Sequence, residues 1–251
     1  MTKEEQMLLK HLKDLAQTCL KRDICVFSDF LTLSEQSLFL SNLNGWPQAE
    51  VELTGGYEYA ERKLICFSPV GAWCKIPAPL SLVRVKPVQQ KFAEPLSHRD
   101  YLGAVLNLGI ERCKIGDLLV EEGSCAIICT EHMATVIVNE LTRIRHTTVT
   151  CKVEDLNDIQ YEPKFLEFTG TVSSLRLDAV IAMAFKGSRS KMSGFIEGEK
   201  VFVNGKCINS NSYSLKEGDI ISVRGMGKFI YDHTVTKTKK DRLLISVKIF
   251  N

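Results

Sequence analysis

The chain has 251 residues, of which 45% are hydrophobic and 25% charged, and its formal net charge is +2. These values are ordinary for folded, water-soluble proteins, and the length allows two or three small domains. No run of 18 consecutive apolar residues occurs, so we expect no membrane-spanning helix. The first six residues are partly acidic and precede no long apolar segment, which argues against a secretory signal.

The charge is divided unevenly along the chain. Residues 163–251 contain 15 Lys and Arg against 8 Asp and Glu, a balance of +7. Residues 1–162 contain 17 against 22, a balance of −5. A basic end on an acidic body favours a polyanionic partner for that end.

Nine cysteines occur, but none forms a C-x-x-C pair, and Cys125 and Cys129 lie inside an apolar run. An odd number of cysteines without an export signal favours reduced thiols, buried as small hydrophobic side chains in a cytoplasmic protein. We therefore expect neither disulfides nor a metal site.

Residues 1–79 are predicted to form a small α/β domain. Thr2 and Glu5 have the spacing of a capping box, ahead of a helix over about the first twenty residues. The other predicted elements are a helix over 34–43 and strands over 49–53 and 62–67.

Residues 80–162 are predicted to form a second small α/β domain, with helices on one face of a sheet. Ser97 is a good N-cap for a helix over 99–108, and Gly109 suits its C-terminal end. The acidic, polar segment 155–163 is expected to be a linker. The other predicted elements are strands over 80–88, 115–120, 125–130 and 147–153 and a helix over 132–142.

Residues 163–251 are predicted to form a third domain, which makes the whole chain an α+β protein. Asn204-Gly205 signals a tight hairpin, because a type I′ turn needs two positive φ angles. The predicted elements are a strand over 164–171, helices over 175–185 and 189–197, and strands over 200–203, 207–208, 219–224, 228–233 and 243–249.

A cationic cluster is expected where the second helix of this domain begins. Ser188 caps the helix, and its first turn holds Arg189, Ser190 and Lys191. Free backbone N–H groups and the positive end of the helix dipole attract phosphate at such a place. The residues expected to face polar surroundings nearby or to extend the patch are Arg176, Asp178, Lys186, Lys200, Lys206, Arg224 and Lys228. Asp178 has two interpretations, since it can contact RNA or only orient Arg176.

The order and spacing of these residues resemble the S4 RNA-binding domain. The matching segments are RLD at 176–178, SRS at 188–190, IEG at 196–198, VFVNGK at 201–206 and GDIISVRG at 218–225. The resemblance implies a C-terminal S4-type (αL) domain whose helix pair and hairpin hold the backbone of folded ribosomal or transfer RNA.

The middle of the chain resembles the YlmH family of bacterial S4-domain proteins. The segments that carry this resemblance are LSHRDYLGAVLNLGI at 96–110, Arg112 and IGD at 115–117. It implies a factor that binds rRNA of the large ribosomal subunit and tRNA and helps to rescue stalled translation. Separately from the resemblance, we expect the protein to be monomeric and cytoplasmic and to need no cofactor. At the predicted helix start, Arg99 is the favoured phosphate contact, and His98 is either a second contact or a capping-region residue.

Enzymatic interpretations are weaker. Pseudouridine synthases also contain Arg-Leu-Asp, but here that motif lies inside the S4 pattern and has no second copy. No P-loop, glycine-rich nucleotide turn or cluster of metal ligands occurs. His98 with Asp100, or Cys113 nearby, could supply a base or a nucleophile. We therefore expect no catalytic residues, with an rRNA-modifying enzyme and an adaptor of the cell-division machinery as the alternatives.

Overall fold

The computed structural model describes residues 1–71, 76–159, 161, 163, 165–239 and 241–250, without the side chain of Phe92. The chain divides into two compact units. The first contains Met1–Thr32 and Leu38–Tyr161, and the second contains Leu33–Ser37 and Glu162–Asn251. None of the helices in these described ranges is both long and apolar enough to cross a membrane.

The N-terminal part consists of helices and a small sheet. Thr2 and Glu5 form the predicted capping box, which fixes the start of the first helix. Leu12, Ala16 and Cys19 repeat at helical spacing and are the buried residues of that helix. The elements are α1 (Lys3–Arg22), β1 (Val26–Phe27), α2 (Leu33–Ser41), β2 (Glu50–Thr54) and β3 (Leu64–Ser68), and the antiparallel sheet has the order β1-β3-β2.

The central part is a five-stranded antiparallel sheet with two helices on one face, as the sequence predicted. Tyr101 and Val105 of α3 and Ile137 of α4 pack against Val83 and Val85 of the sheet. The elements are β4 (Leu80–Pro87), α3 (His98–Leu106), β5 (Ile115–Glu121), β6 (Ser124–Thr130), α4 (Glu131–Glu140), β7 (Arg143–Ile144) and β8 (Thr147–Glu154), and the strand order is β5-β6-β4-β8-β7.

The other face of this sheet is covered by the N-terminal part of the same unit. Phe30 and Leu64 pack with Leu82, Leu119 and Ile128 in one buried cluster. Because both faces are covered, β6 is buried from its first residue to its sixth and shows no alternation of apolar and polar residues.

One carboxylate fixes this packing. Asp117 accepts hydrogen bonds from the Tyr57 hydroxyl at 3.0 Å and from the backbone N–H groups of Glu61 and Arg62 at 2.7 and 3.2 Å. Burial raises the pKa of Asp117 even though these donors favour its charged form.

The segment after β8 differs from the linker predicted over 155–163. A short 3-10 helix spans Leu156–Asp158, and the Asp155 side chain accepts a hydrogen bond from the Asn157 N–H at its start. Leu156, Ile159 and Tyr161 are partly buried against the cluster that contains Phe30. The linker was predicted from the acidic residues of this segment. The apolar side chains between them were not taken into account, and these pack against the rest of the first unit.

The C-terminal part is a six-stranded antiparallel sheet with a helix pair on one face. Val201, Val203, Ile221 and Val223 point toward the helices and are buried in the same cluster as Ile181 of α5. The elements are β9 (Phe165–Val172), α5 (Leu177–Ala184), α6 (Arg189–Glu197), β10 (Val201–Val203), β11 (Lys206–Cys207), β12 (Ile220–Val223), β13 (Gly227–Lys237) and β14 (Leu243–Phe250), in the order β11-β10-β12-β13-β14-β9. The predicted α+β class is confirmed.

The predicted hairpin between β10 and β11 is present. Asn204 and Gly205 have φ angles of 48° and 76°, as a type I′ turn requires. The Asn204 side chain donates to Asp219 Oδ1 at 2.8 Å and accepts from the Ile220 N–H at 2.9 Å. Asn204 therefore stabilises the predicted turn, and Asp219 supports it through the Asn204 side chain.

Candidate nucleic-acid interface

The first turns of α5 and α6 are joined through one buried carboxylate. Arg176 Nε lies 3.1 Å from Asp178 Oδ1, and Arg189 Nε lies 3.1 Å from Asp178 Oδ2. The Asp178 side chain is 5% exposed, whereas those of Arg176 and Arg189 are 43% and 50% exposed. Asp178 thus fixes the position of two guanidinium groups that remain accessible at the surface.

The charge of Asp178 is stabilised within this triad. Burial by itself would raise the pKa of the Asp178 carboxyl, but the hydrogen bonds from Arg176 and Arg189 outweigh burial and lower the pKa below its ordinary value. The sequence allowed Asp178 to contact RNA or to orient Arg176, and the structure places it in the orienting position for both arginines. Its polar surroundings are these guanidinium groups and not solvent.

The start of α6 carries the cations and hydroxyls that the sequence placed there. Ser188 is the N-cap, and its hydroxyl accepts a hydrogen bond from the Lys191 N–H at 3.2 Å. Ser188, Ser190 and Lys191 are exposed together with Arg189. Lys186, in the turn between the helices, is also exposed, and its ammonium group lies 5.2 Å from the ring centroid of Phe168.

Lys206 lies on the same side of the sheet as the helix pair. It pairs across the hairpin with Val203, and directly opposed residues of an antiparallel pair share a face. Val203 is buried under the helices, so Lys206 points to the helix side, where it is exposed at the sheet edge. The structure therefore leaves Arg189, Lys191 and Lys206 at the surface on one side of this sheet.

Arg224 and Lys228 lie on the opposite side. Their neighbours along the strands point into the core under the helices, so the alternation of a strand turns these two outward. The Arg224 guanidinium lies 4.7 Å from the ring centroid of Phe202, and the Lys228 ammonium lies 4.2 Å from that of Phe250. The expectation that they extend the cluster at α6 is wrong, and contact with RNA stays a prediction for both.

His98 and Arg99 occupy the first turn of α3, where both side chains are exposed. Ser97 and Asp100 form a capping box at this helix start, with the Ser97 N–H donating to Asp100 Oδ2 at 2.8 Å. Hydrogen bonds from Ser97 are the main reason that the pKa of Asp100 is lowered, and the charge of Arg145 adds to it.

Arg99 lines a surface groove whose other wall carries Arg143 and Arg145. These two arginines flank Ile144 at the short hairpin between β7 and β8, and the sequence did not single them out. In the sequence these arginines are marked only as a pair of basic residues beside a tight turn. That pattern does not predict that α3 lies next to them.

Of the side chains considered as a base or a nucleophile, Asp100 and Cys113 have structural environments. Asp100 serves the helix cap, and burial raises the pKa of the Cys113 thiol to about 11, so that it is protonated at neutral pH. Within the described parts of the chain, no group of three or more His, Cys, Asp or Glu residues is arranged to hold a metal ion.

Comparison with known proteins decides the family. The family described as "Putative RNA-binding domain in YlmH" matches residues 79–158, and the S4 domain family matches residues 175–221. The "Ribosome-associated protein quality control protein P2" of Bacillus subtilis (strain 168) is 32% identical over 219 residues, which are 86% of this chain and 83% of that protein. The chain belongs to the YlmH family.

Two further similarities cover smaller parts of the chain. The solved structure "Cell division protein ylmH from Streptococcus pneumoniae" has a TM-score of 0.51 and 17% identity, and the match covers 63% of this chain and 96% of that one. At this identity it shows a shared YlmH fold only. The "Small ribosomal subunit protein uS4" of Lachnospira eligens is 40% identical over 55 residues, which are 22% of this chain and 28% of that protein.

Both resemblances inferred from sequence motifs, to YlmH and to the S4 domain, are therefore confirmed, and RNA binding is the class of function that they support. The S4 match contains the helix-pair cluster and Lys206 but ends before Arg224 and Lys228. The YlmH match contains His98 and Arg99 and also both arginines of the opposite groove wall.

Proposed function

We propose that this protein is a non-enzymatic, monomeric and cytoplasmic RNA-binding factor. It binds rRNA of the large ribosomal subunit and tRNA, and it acts in the rescue of stalled translation. The observation that carries this proposal is the triad in which the buried Asp178 holds the half-exposed Arg176 and Arg189 at the starts of two helices.

The geometry of this triad suits the backbone of folded RNA. A guanidinium group presents donors in a fixed fork that matches phosphate oxygens, and a preset orientation reduces the entropy lost on binding. Lys191 and the hydroxyls of Ser188 and Ser190 add a charge and polar groups beside Arg189. Double-stranded RNA is recognised mainly by shape and phosphate contacts, which is the chemistry that these side chains offer.

The names of the relatives support the choice of partner. The B. subtilis protein is named a ribosome-associated quality control protein, and uS4 is named a protein of the small ribosomal subunit. The match to the B. subtilis protein spans most of this chain, so we propose a role in ribosome-associated quality control and not as a ribosomal protein of the small subunit.

The double variant Arg189→Ala, Lys191→Ala tests the interface. Each lost phosphate contact reduces the slope of log affinity against log salt by about 0.7–0.9, so two reduce it by about 1.4–1.8. At roughly 0.1 M salt this corresponds to a loss of about 25- to 60-fold in affinity. Salt titrations with purified large subunits, small subunits and tRNA measure the loss and identify the partner.

The matched control is Lys10→Ala, Lys13→Ala, which removes two exposed lysines from α1. We expect it to bind like the unmodified chain. Unchanged affinity and slope in the α6 variant would contradict the proposed interface, and preference for small subunits would contradict the proposed partner. Mass spectrometry of rRNA from a deletion strain should show every modification in place, since a missing one would favour the enzymatic alternative.

A further inference from the structure

The central sheet carries an open groove of about 480 Å³ between α3 and the hairpin that joins β7 and β8. Arg99 and Gly103 of α3 and Asn107, the residue that caps its C-terminal end, follow one another at intervals of four residues and line one wall. Arg143 and Arg145 line the other wall. All of these elements belong to the first compact unit.

Three exposed guanidinium groups surround this groove, and they differ in how they are held. Arg145 lies 3.5 Å from Asp100 and 4.0 Å from Glu94. Among the described residues, neither Arg99 nor Arg143 has a carboxylate within ion-pair distance. Glu140 also lines the groove, so the acidic groups near it are Asp100, Glu94 and Glu140. Two of these three acids are already engaged by Arg145 or by local backbone.

The hairpin wall is held in a fixed conformation. Arg145 has a φ of 52°, in the left-handed region that residues other than glycine and asparagine rarely adopt. Glu94 Oε1 accepts a hydrogen bond from the His146 N–H at 2.9 Å, in the same turn. The contacts of Arg145 with Asp100 and Glu94 therefore join the turn to the start of α3 and to the segment before it.

The groove has room for a ligand at its α3 wall. Apart from its chain neighbours and the backbone of its own helix, a Cβ atom built on Gly103 would have no heavy atom within 4 Å, so the helix backbone can be approached closely there. The adjacent lining residue, Ala104, is also small. An open groove with guanidinium groups on both walls suits an extended polyanion, because phosphates in series can meet arginines on each side.

We propose that this groove binds the sugar-phosphate backbone of an RNA strand through Arg99 and Arg143, with Arg145 fixing the hairpin wall. It is a second RNA-contact site, separate from the helix pair of the C-terminal unit. This inference rests on the proposed function, since it takes the ligand to be RNA.

Two variants of the full chain test the groove in different ways. Arg99→Ala, Arg143→Ala removes two cations, and we expect the salt slope for large-subunit RNA to fall by about 1.4–1.8 and the affinity by about 25- to 60-fold at roughly 0.1 M salt. Gly103→Gln fills the groove without changing the charge. Glutamine is a better helix former than glycine, and the open space accepts it, so this variant keeps its fold. We expect it to weaken RNA binding about three- to tenfold, because a blocked groove loses part of the same phosphate contacts.

The matched control is Lys86→Ala, Lys152→Ala, which removes two exposed lysines from β4 and β8 of the same sheet. We expect it to bind like the unmodified chain. If both groove variants bind RNA normally while Arg189→Ala, Lys191→Ala does not, the groove inference is overturned and the proposed function stands. If the unmodified chain binds none of the RNAs, the proposed function fails.

Competition separates an RNA strand from a small phosphate ligand. Inorganic phosphate and a nucleoside monophosphate, added at matched ionic strength, should not displace RNA from the groove. Displacement that is lost in Arg99→Ala, Arg143→Ala would assign the groove to a small phosphate and overturn the inference. Protection of the Arg99 and Arg143 side chains from an arginine-modifying reagent by RNA alone would support it.

Discussion

The substitution Asp178→Asn isolates the triad that orients the two arginines. Asp178 accepts four N–H contacts from Arg176 and Arg189, and the asparagine keeps one acceptor oxygen but no charge. A hydrogen bond to a charged group contributes about 1.5–3 kcal/mol. The guanidinium groups are half exposed and regain water contacts, so we expect a net loss of about 2 kcal/mol in the free energy of unfolding, near the contribution of one such bond.

The assay must report on the second unit. Both tryptophans, Trp46 and Trp73, precede residue 80, so tryptophan fluorescence does not follow α5 and α6. Hydrogen-exchange mass spectrometry of peptides over 177–197 follows these helices. Where exchange is governed by the opening equilibrium, a loss of about 2 kcal/mol raises the exchange rate roughly thirtyfold. The control is Asp241→Asn, which removes an exposed ion pair with Lys237 and should change little.

The pH dependence supplies an independent check. Because the pKa of Asp178 is lowered in the folded state, its stabilisation is fully present above the unfolded value near 3.9 and is lost as the pH falls through the folded value. The difference between the unmodified chain and Asp178→Asn should therefore be constant from pH 7 to about 5 and shrink below about 4. A difference that persists unchanged in acid, or no difference at pH 7, would refute the role of the charged carboxylate.

Two further predictions concern the first unit and the thiols. Gly116→Val should lower the free energy of unfolding by about 1–3 kcal/mol, because its Cβ would lie 2.8 Å from the Phe30 ring. Urea unfolding followed by fluorescence measures this change. An unchanged urea midpoint would contradict the close packing of Gly116 against Phe30. A maleimide reagent should label the exposed Cys207 in the folded protein and leave Cys129 unlabelled until unfolding, since burial raises the pKa of Cys129 to about 12. Peptide mapping distinguishes the two sites, and equal labelling rates would contradict the burial.

Most helices and strands could be predicted from the sequence because their signals are local. The capping box at Thr2, the helix at Arg189–Glu197 and the Asn204-Gly205 turn were correctly predicted, and the other helices and strands that were predicted are shifted by a few residues. The two-residue strands β1 and β7 were missed, because two residues carry no periodicity.

The candidate site was predictable in composition and less so in geometry. The cations at α6 follow from helix capping, but the burial of Asp178 depends on α5 and α6 packing side by side. The outward position of Arg224 was within reach, because Ile221 and Val223 alternate with Ser222 and Arg224 and only one set can face the core. Arg143 could not be predicted as a neighbour of Arg99, because 44 positions separate them and only the packed sheet brings them to one groove.

Both faces of the central sheet are covered by other parts of the chain, and this limits which fragments of the protein can be studied in isolation. A fragment that starts near residue 79, where the family match begins, would lack Phe30 and Leu64. Leu82 and Ile128, which pack against them, would then form part of a contiguous hydrophobic surface exposed to water. Such a surface promotes self-association, so a truncated fragment would mix aggregation with any measurement of its affinity. Phe30 and Leu64 of the N-terminal part therefore belong to the packing of the central sheet, and we expect their deletion to lower solubility first.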